Sequence, residues 1–381
     1  WISKRWPQIL PPQPEKPASM RLTAARTDSS FLFRFIIDLR LSCDRSCGNG
    51  FVICLYPYTV HESVKKVKKN RPFQRNRRLS MVRPVRDARR TAPVFGHELE
   101  CFLHVDHLAG PPLEAAAYSN LTDAASRGLL SESLADSGIS ENRVSILLDR
   151  VDRFNASVKN EWLTEGFESG APTDTKYDPY EMQELWTEKN GSFPGYNCRI
   201  TAFSLFGAFV TAGADQPETQ GEDALFLDLE TLAADPAVLC GDSTSKFCAL
   251  FAPVTAADST ETAEQVKALQ AGWAERGVAF EEGTARLISV VLHDRFSDTD
   301  NTLFIGHVGV LLPAGDGSLY FVEKVAFQEP YRLVKLRNRI ELNDYLMEKY
   351  DTSWDQDTAR PFIMENDSLM EGYRTVPTAA D

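Results

Sequence analysis

Three side chains, far apart in the chain, have the types and local settings that thiol chemistry needs: Cys198, His307 and Glu323. Cys198 follows Asn197, a good N-cap, and opens the apolar run Ile200, Phe203, Leu205, Phe206 and Val210, whose spacing reads as a largely buried helix. Backbone N–H groups at a helix start are unpaired and the dipole favours negative charge there, so the thiol's pKa falls and its nucleophilicity rises. The competing reading of Cys198 is a small buried hydrophobe. His307 lies in Phe304-Ile305-Gly306-His307-Val308-Gly309-Val310-Leu311-Leu312, a strand apolar enough that an imidazole needs a partner or a task. Gly306 and Gly309 remove side-chain bulk and let another backbone or a substrate come close. The competing reading is a satisfied core histidine. Glu323 alternates with Leu319, Phe321, Val325 and Phe327 on one face of a strand, where a carboxylate must be paired. It lies 16 residues after His307 across a hairpin turn, so the two can be cross-strand neighbours. The competing reading is a salt bridge to a nearby Lys or Arg.

Together these residues read as a nucleophile at a helix start, a base on one strand and an orienting group on the next. Cys, then His, then a polar residue is the chain order of papain-like thiol hydrolases. Tyr196, two residues before the thiol, is a candidate oxyanion donor, as is the N–H of Cys198. Arg199 is a candidate for binding a substrate carboxylate, with an ordinary surface arginine as its competing reading. His293-Asp294 is an alternative base pair, ranked below His307 because it ends a strand before a polar loop. Glu329-Pro330-Tyr331 reads as a turn.

The elements that must position these groups follow from periodicity. Helices are expected over Thr122–Ala135, Glu141–Val158, Tyr180–Trp186, Asn197–Val210, Glu222–Ala233 and Thr260–Arg276. The period then changes from helical to alternating. Strands are expected at Arg286–His293, Thr302–Leu312, Ser318–Phe327 and Tyr331–Leu336, with Gly315-Asp316-Gly317 as the hairpin turn and Asn338 capping a last helix to Tyr350. Helices first and a clustered antiparallel sheet after them is an α+β pattern: N-terminal helices packed on a small antiparallel sheet.

Charge divides the chain of 381 residues. Residues 1–95 hold 20 Lys and Arg against 6 Asp and Glu, a net of +14, and the remainder holds 21 against 48, a net of −27. With Trp1 at its head, five prolines by Pro17, and the basic runs Lys65–Lys69 and Arg71–Arg90, the 1–95 segment reads as a disordered or spurious extension. A tether to anionic surfaces is its sharper alternative. The acidity of the rest argues against a nucleic-acid partner. Residues 96–117 read as a linker, 118–375 as the globular domain and 376–381 as a tail. Phe31–Leu41 is too short and too charged to span a membrane, and it is a poor signal-peptide core. The seven cysteines make no disulfide framework, and His97, Cys101, His104 and His107 form no metal-ligand pattern. No phosphate loop or dinucleotide fingerprint is present, so neither cofactor nor metal is expected.

Three segments carry a family resemblance. Asn197-Cys198-Arg199-Ile200-Thr201, Phe304 to Val310 around His307, and Phe321 to Tyr331 around Glu323 resemble the core motifs of the bacterial domain-of-unknown-function 4300 family. The likeness runs from Tyr118 to about Tyr373 and includes Arg360-Pro361-Phe362-Ile363-Met364-Glu365-Asn366. It implies a secreted or envelope-bound bacterial protein. A more distant likeness is to NlpC-type cell-wall peptidases, in which a Cys opens a helix and a His lies in a His-Val-Gly-aliphatic strand, as His307-Val308-Gly309-Val310 does. Their Asp-Cys-Ser-Gly signature is replaced by Asn197-Cys198-Arg199-Ile200. The resulting expectation is a monomeric papain-like thiol hydrolase acting on a peptide or cell-wall-derived substrate. The alternative is a non-catalytic binding domain of the envelope.

Overall fold

The computed structural model describes residues 116–375, except 174, 215–216, 218–219, 298–299 and 353–356. The expected 1–95 extension, the linker up to residue 115, the tail at 376–381 and the His97, Cys101, His104 and His107 group lie outside the described residues.

Among the described residues the first element is a strand, β1 (Ala117–Ser119). Helices α1 (Ala124–Asp136), α2 (Glu141–Asn155), α3 (Pro179–Asn190) and α4 (Cys198–Phe206) follow, with the short β2 (Glu168–Ser169) between α2 and α3. After β3 (Val210–Thr211) come α5 (Glu222–Ala234), α6 (Thr244–Phe251), β4 (Val254–Thr255), α7 (Thr262–Glu275) and β5 (Ala279–Phe280). The sheet is then laid down by β6 (Arg286–Ser297), β7 (Asp300–Pro313), β8 (Leu319–Lys324) and β9 (Tyr331–Leu336). Helix α8 (Arg339–Tyr350), β10 (Phe362–Glu365) and β11 (Ser368–Leu369) end the described chain. No helix among the described residues is long and apolar enough to cross a membrane.

The α+β class holds, but the sheet is not small. Nine strands join it, in the order β11-β10-β6-β7-β8-β9-β1-β2, with β4 also on β7. Two members come from unexpected places. Tyr118 of β1 pairs with Val334 of β9, and Ile363 of β10 pairs with Val290 of β6. Both are short segments whose strand character comes from a distant partner, which local periodicity does not carry.

Helices cover both faces. On one face, residues of α1 to α7 pack against alternate sheet residues such as Val308, Val310, Val322 and Leu333. On the other, Leu342, Tyr345, Leu346 and Met347 of α8 pack against Val290, Leu311, Phe321 and Val334. The strand parity that separates these cores places Glu323, next but one to Phe321, on the α8 face.

Two expected boundaries move for physical reasons. Helix α4 stops at Phe206 and passes through a 3₁₀ turn into β3, so Val210 is a strand residue. Strand β8 stops at Lys324 rather than at Phe327. There the Lys324 ammonium gathers the carbonyls of Ala326 (2.7 Å), Phe327 (3.1 Å) and Glu329, folding the chain into a tight turn.

One feature of the sheet positions the site. On its side away from β6, β7 is paired with β4 at Thr302 and Leu303 and with β8 from Val310 onward. Among the described residues, 304–309 have no strand on that side. Helix α4 begins at this gap, where the Arg199 guanidinium donates to the Ile305 carbonyl at 3.3 Å. On the β6 side, His307 pairs with Val290 while Ile305 pairs with Val291, so Gly306 is the extra residue of a β-bulge. A bulge re-aims the side chain next to it, here His307.

Candidate active site

The start of α4 is fixed before any catalytic group is considered. Asn197 Oδ1 accepts from the Ile200 N–H at 3.0 Å, and Asn197 Nδ2 donates to Asp228 Oδ1 at 2.8 Å. Arg199 grips the same carboxylate through Nε at 3.0 Å and Nη2 at 2.6 Å. Asp228, on α5, therefore locks residues on both sides of Cys198. The first backbone bond of α4 runs from Thr201 N–H to the Asn197 carbonyl, and the N–H groups of Cys198 and Arg199 have no acceptor among the described residues. They stay available to an anion.

His307 and Glu323 meet as the sequence reading expects, but diagonally. The last β7–β8 ladder pair is Val310 with Val322, so Gly309 comes next across from Glu323 and His307 lies two residues further on. A Cβ at Gly309 would sit 2.6 Å from the Val322 carbonyl oxygen, so only glycine allows the strands to close here. His307 Nε2 and Glu323 Oε2 are 2.7 Å apart, with both side chains buried. This bond leaves Nδ1 for the thiol. Nδ1 makes no hydrogen bond of good geometry, yet His307 and Cys198 shift each other's protonation, so they stand as close electrostatic partners.

The three groups titrate as a unit. Burial alone would raise the Cys198 thiol, but hydrogen bonding and charge from His307, helped by the Arg199 guanidinium, bring its pKa below that of an ordinary thiol. Burial alone would make His307 less basic, but Cys198 and Glu323 raise it to about 9. Burial likewise opposes ionisation of Glu323, and His307 with Arg332 holds it down at about 2. These directions favour the charged forms, with an imidazolium set between a carboxylate and a thiol drawn towards its thiolate.

Around this row is a buried layer of phenols and charges. Tyr345 of α8 donates to Glu323 Oε1 at 2.5 Å, so both carboxylate oxygens are used. Arg332, cross-strand from Glu323 and 1 % exposed, donates to the Tyr345 hydroxyl at 3.2 Å and to the Tyr177 hydroxyl at 3.4 Å. Tyr177 in turn donates to Glu329 at 2.7 Å. The Lys324 ammonium lies 3.9 Å from the centre of the Phe154 ring. The acidic side chains Cys198, Glu323 and Glu329 thus lie among the basic side chains His307, Arg332 and Lys324, and burial pushes the Lys324 pKa well below that of an ordinary amine.

The family model for a domain of unknown function, DUF4300, matches residues 117–370. The chain belongs to the DUF4300 family. No curated protein and no solved structure matches the chain. The thiol, imidazole and carboxylate all lie within the matched span.

Two expected site residues of this DUF4300 domain are engaged elsewhere. Tyr196 donates to Asp235 Oδ2 at 2.6 Å, beneath the Arg150 guanidinium, so its phenol is not free for an oxyanion. Arg199 is neither a surface arginine nor an open carboxylate receptor. Its pair with Asp228 is largely buried, and it acts on the thiol through its charge. His293 does not form a base pair with Asp294. Its Nε2 meets Asn301 Oδ1 at 2.6 Å, and its Nδ1 accepts from the Ala359 N–H at 2.9 Å. Tyr345, Arg332 and Tyr177 are the site residues that sequence reasoning missed. The available signal was Arg332, a charge inside the apolar strand Tyr331-Arg332-Leu333-Val334. Among the described residues no group of three or more His, Cys, Asp or Glu could hold a metal ion.

Proposed function

We propose that this DUF4300 domain is a thiol hydrolase or acyl-transfer enzyme of papain-like, NlpC-like layout, with Cys198 as nucleophile, His307 as proton carrier and Glu323 as its orienting carboxylate. The observation that carries the reading is the row of three: a thiol at a helix start, lowered in pKa by an imidazole that a buried carboxylate grips at 2.7 Å. In the first half-reaction the thiolate attacks the carbonyl carbon, and its electron pair moves to oxygen. The unpaired N–H of Cys198 faces a developing oxyanion at the helix start. Collapse expels the amine or alcohol, which takes the proton from the His307 imidazolium. Water then attacks the thioester carbonyl and gives a proton to His307; collapse breaks the C–S bond, releases the carboxylic acid and restores the thiolate–imidazolium pair. Glu323 and Tyr345 keep the ring in one orientation throughout. An envelope location and a peptide or amide bond of cell-wall material as substrate belong to the same proposal, on family likeness.

A second reading, a non-catalytic binding domain of the envelope that keeps the fold, is favoured by one observation. Cys198 is 6 % exposed and His307 1 %. The experiment that separates the two is mild alkylation followed by site-resolved mass spectrometry, with turnover of peptide and muropeptide pools in parallel. Under the hydrolase reading Cys198 labels far faster than Cys240 and Cys248, and Cys198→Ala abolishes hydrolysis. Equal, slow labelling of all three, with no turnover, supports the binding domain.

A further inference from the structure

Tyr350 ends α8, and its ring stacks on the His307 imidazole, with centroids 5.2 Å apart and planes 19° from parallel. Three other phenols around the centre have committed hydroxyls. Tyr345 donates to Glu323, Tyr177 to Glu329 and Tyr196 to Asp235. The Tyr350 hydroxyl differs. Among the described residues it has no hydrogen-bond partner, and it is not among the sealed, unsatisfied buried polar atoms. The residue as a whole is half-buried. A phenol stacked on His307, unpartnered and not wholly sealed at its oxygen, is a donor waiting for an acceptor that the protein does not supply.

We propose that Tyr350 is a catalytic residue whose hydroxyl, together with the Cys198 N–H, donates a hydrogen bond to the carbonyl oxygen of an acyl substrate. This inference rests on the thiol-hydrolase reading. It moves to Tyr350 the oxyanion role that sequence position suggests for Tyr196. The charges around the phenol suit a donor. Burial first, and then the negative charges of Glu323, Cys198 and Glu329, push the Tyr350 pKa well above that of an ordinary phenol, so the hydroxyl keeps its proton across the working range. The facing cations are His307 beneath the ring and Lys349, whose ammonium lies 5.6 Å from the ring centre. When Cys198 attacks and the carbonyl electron pair moves to oxygen, Tyr350 donates a hydrogen bond without losing its proton. The leaving group still takes its proton from His307.

The test compares two reactions of the same sulfur in the full chain. Acylation by p-nitrophenyl acetate passes through an oxyanion; alkylation by iodoacetamide does not. Tyr350→Phe keeps the ring and its stack on His307. The expected result is a loss of about a hundredfold in Cys198-dependent acylation, the size usual for one oxyanion donor. The Cys198 alkylation rate should stay within about twofold, which also reports a folded site. Acylation equal in Tyr350→Phe and wild type overturns the Tyr350 assignment and leaves the hydrolase reading standing. Equal losses in both reactions also overturn it, because they make Tyr350 a structural support of His307. If wild type shows no acylation beyond that of Cys198→Ala, the hydrolase reading falls and takes this inference with it.

Discussion

His307 and His293 lie on adjacent strands of one hairpin and are both almost sealed from water, at 1 % and 8 % exposure. Burial pushes both imidazoles towards the neutral form. His293 yields to it. Its two nitrogens meet an amide oxygen and a backbone N–H, and its pKa falls. His307 meets a thiol and a carboxylate, and its pKa rises to about 9. The lesson is that burial does not decide which histidine can do chemistry. Two ionisable partners outweigh the desolvation at one site, and neutral partners leave it uncompensated at the other. His293 also has both nitrogens occupied, so it has no route for moving a proton. His307 has Nε2 held by the carboxylate and Nδ1 without a hydrogen bond.

The largest effect expected from breaking this contrast is at the sulfur. Cys198→Ala should remove turnover of whichever amide or ester wild type hydrolyses, a loss of up to roughly 10⁶-fold for a nucleophile, whereas His293→Ala should keep it within about twofold in steady-state assays. Next is the carboxylate. Glu323→Gln keeps the shape but removes the charge that helps hold His307 at about 9. It should lower kcat/KM by about a hundredfold or more, and the alkaline limb of its pH profile should move from near 9 towards the 6.5 of a free imidazole. A pH profile unchanged by Glu323→Gln would detach the carboxylate from the mechanism.

A third effect is on stability. His307→Ala leaves Glu323 without one of its charged partners in a buried site, a cost of about 2 kcal/mol. For a domain of this size that lowers Tm by about 4–8 °C, read by thermal melting at neutral pH. The pH dependence has a definite sign. Because the folded pKa of His307 lies above 6.5, its contribution is full below that pH and is lost as pH rises through about 9. His293 has the opposite sign. Its folded pKa is depressed, so its contribution is present above 6.5 and is lost as pH falls. The smallest expected effect follows. His293→Gln should flatten the acid side of the stability profile in urea melts and leave the alkaline side unchanged.

Much of this was legible along the chain because it is local. Asn197 and Asn338 cap the helices they precede, each accepting from the N–H three residues on. The β7–β8 hairpin and the meeting of His307 with Glu323 follow from alternation and a glycine turn. What was not legible depends on partners far away in sequence. Tyr345 reads as one more apolar residue of α8 until the sheet brings Glu323 beneath it. Tyr196 is near Cys198 in sequence, but Asp235, 39 residues on, takes its hydroxyl. The strand character of β1 and β10 comes from β9 and β6. Periodicity reports which face of an element is buried, but not what is buried against it.

The central claim is that the His307 imidazolium lowers the pKa of the Cys198 thiol below that of an ordinary thiol. Ultraviolet thiolate absorbance, titrated as the difference between wild type and Cys198→Ser, tests it without requiring any reagent to reach the sulfur. The expected result is a titration midpoint below that of an ordinary thiol, with His307→Ala moving it upward. A signal that develops only at pH 9 or above, the range of an unperturbed thiol, would contradict the account.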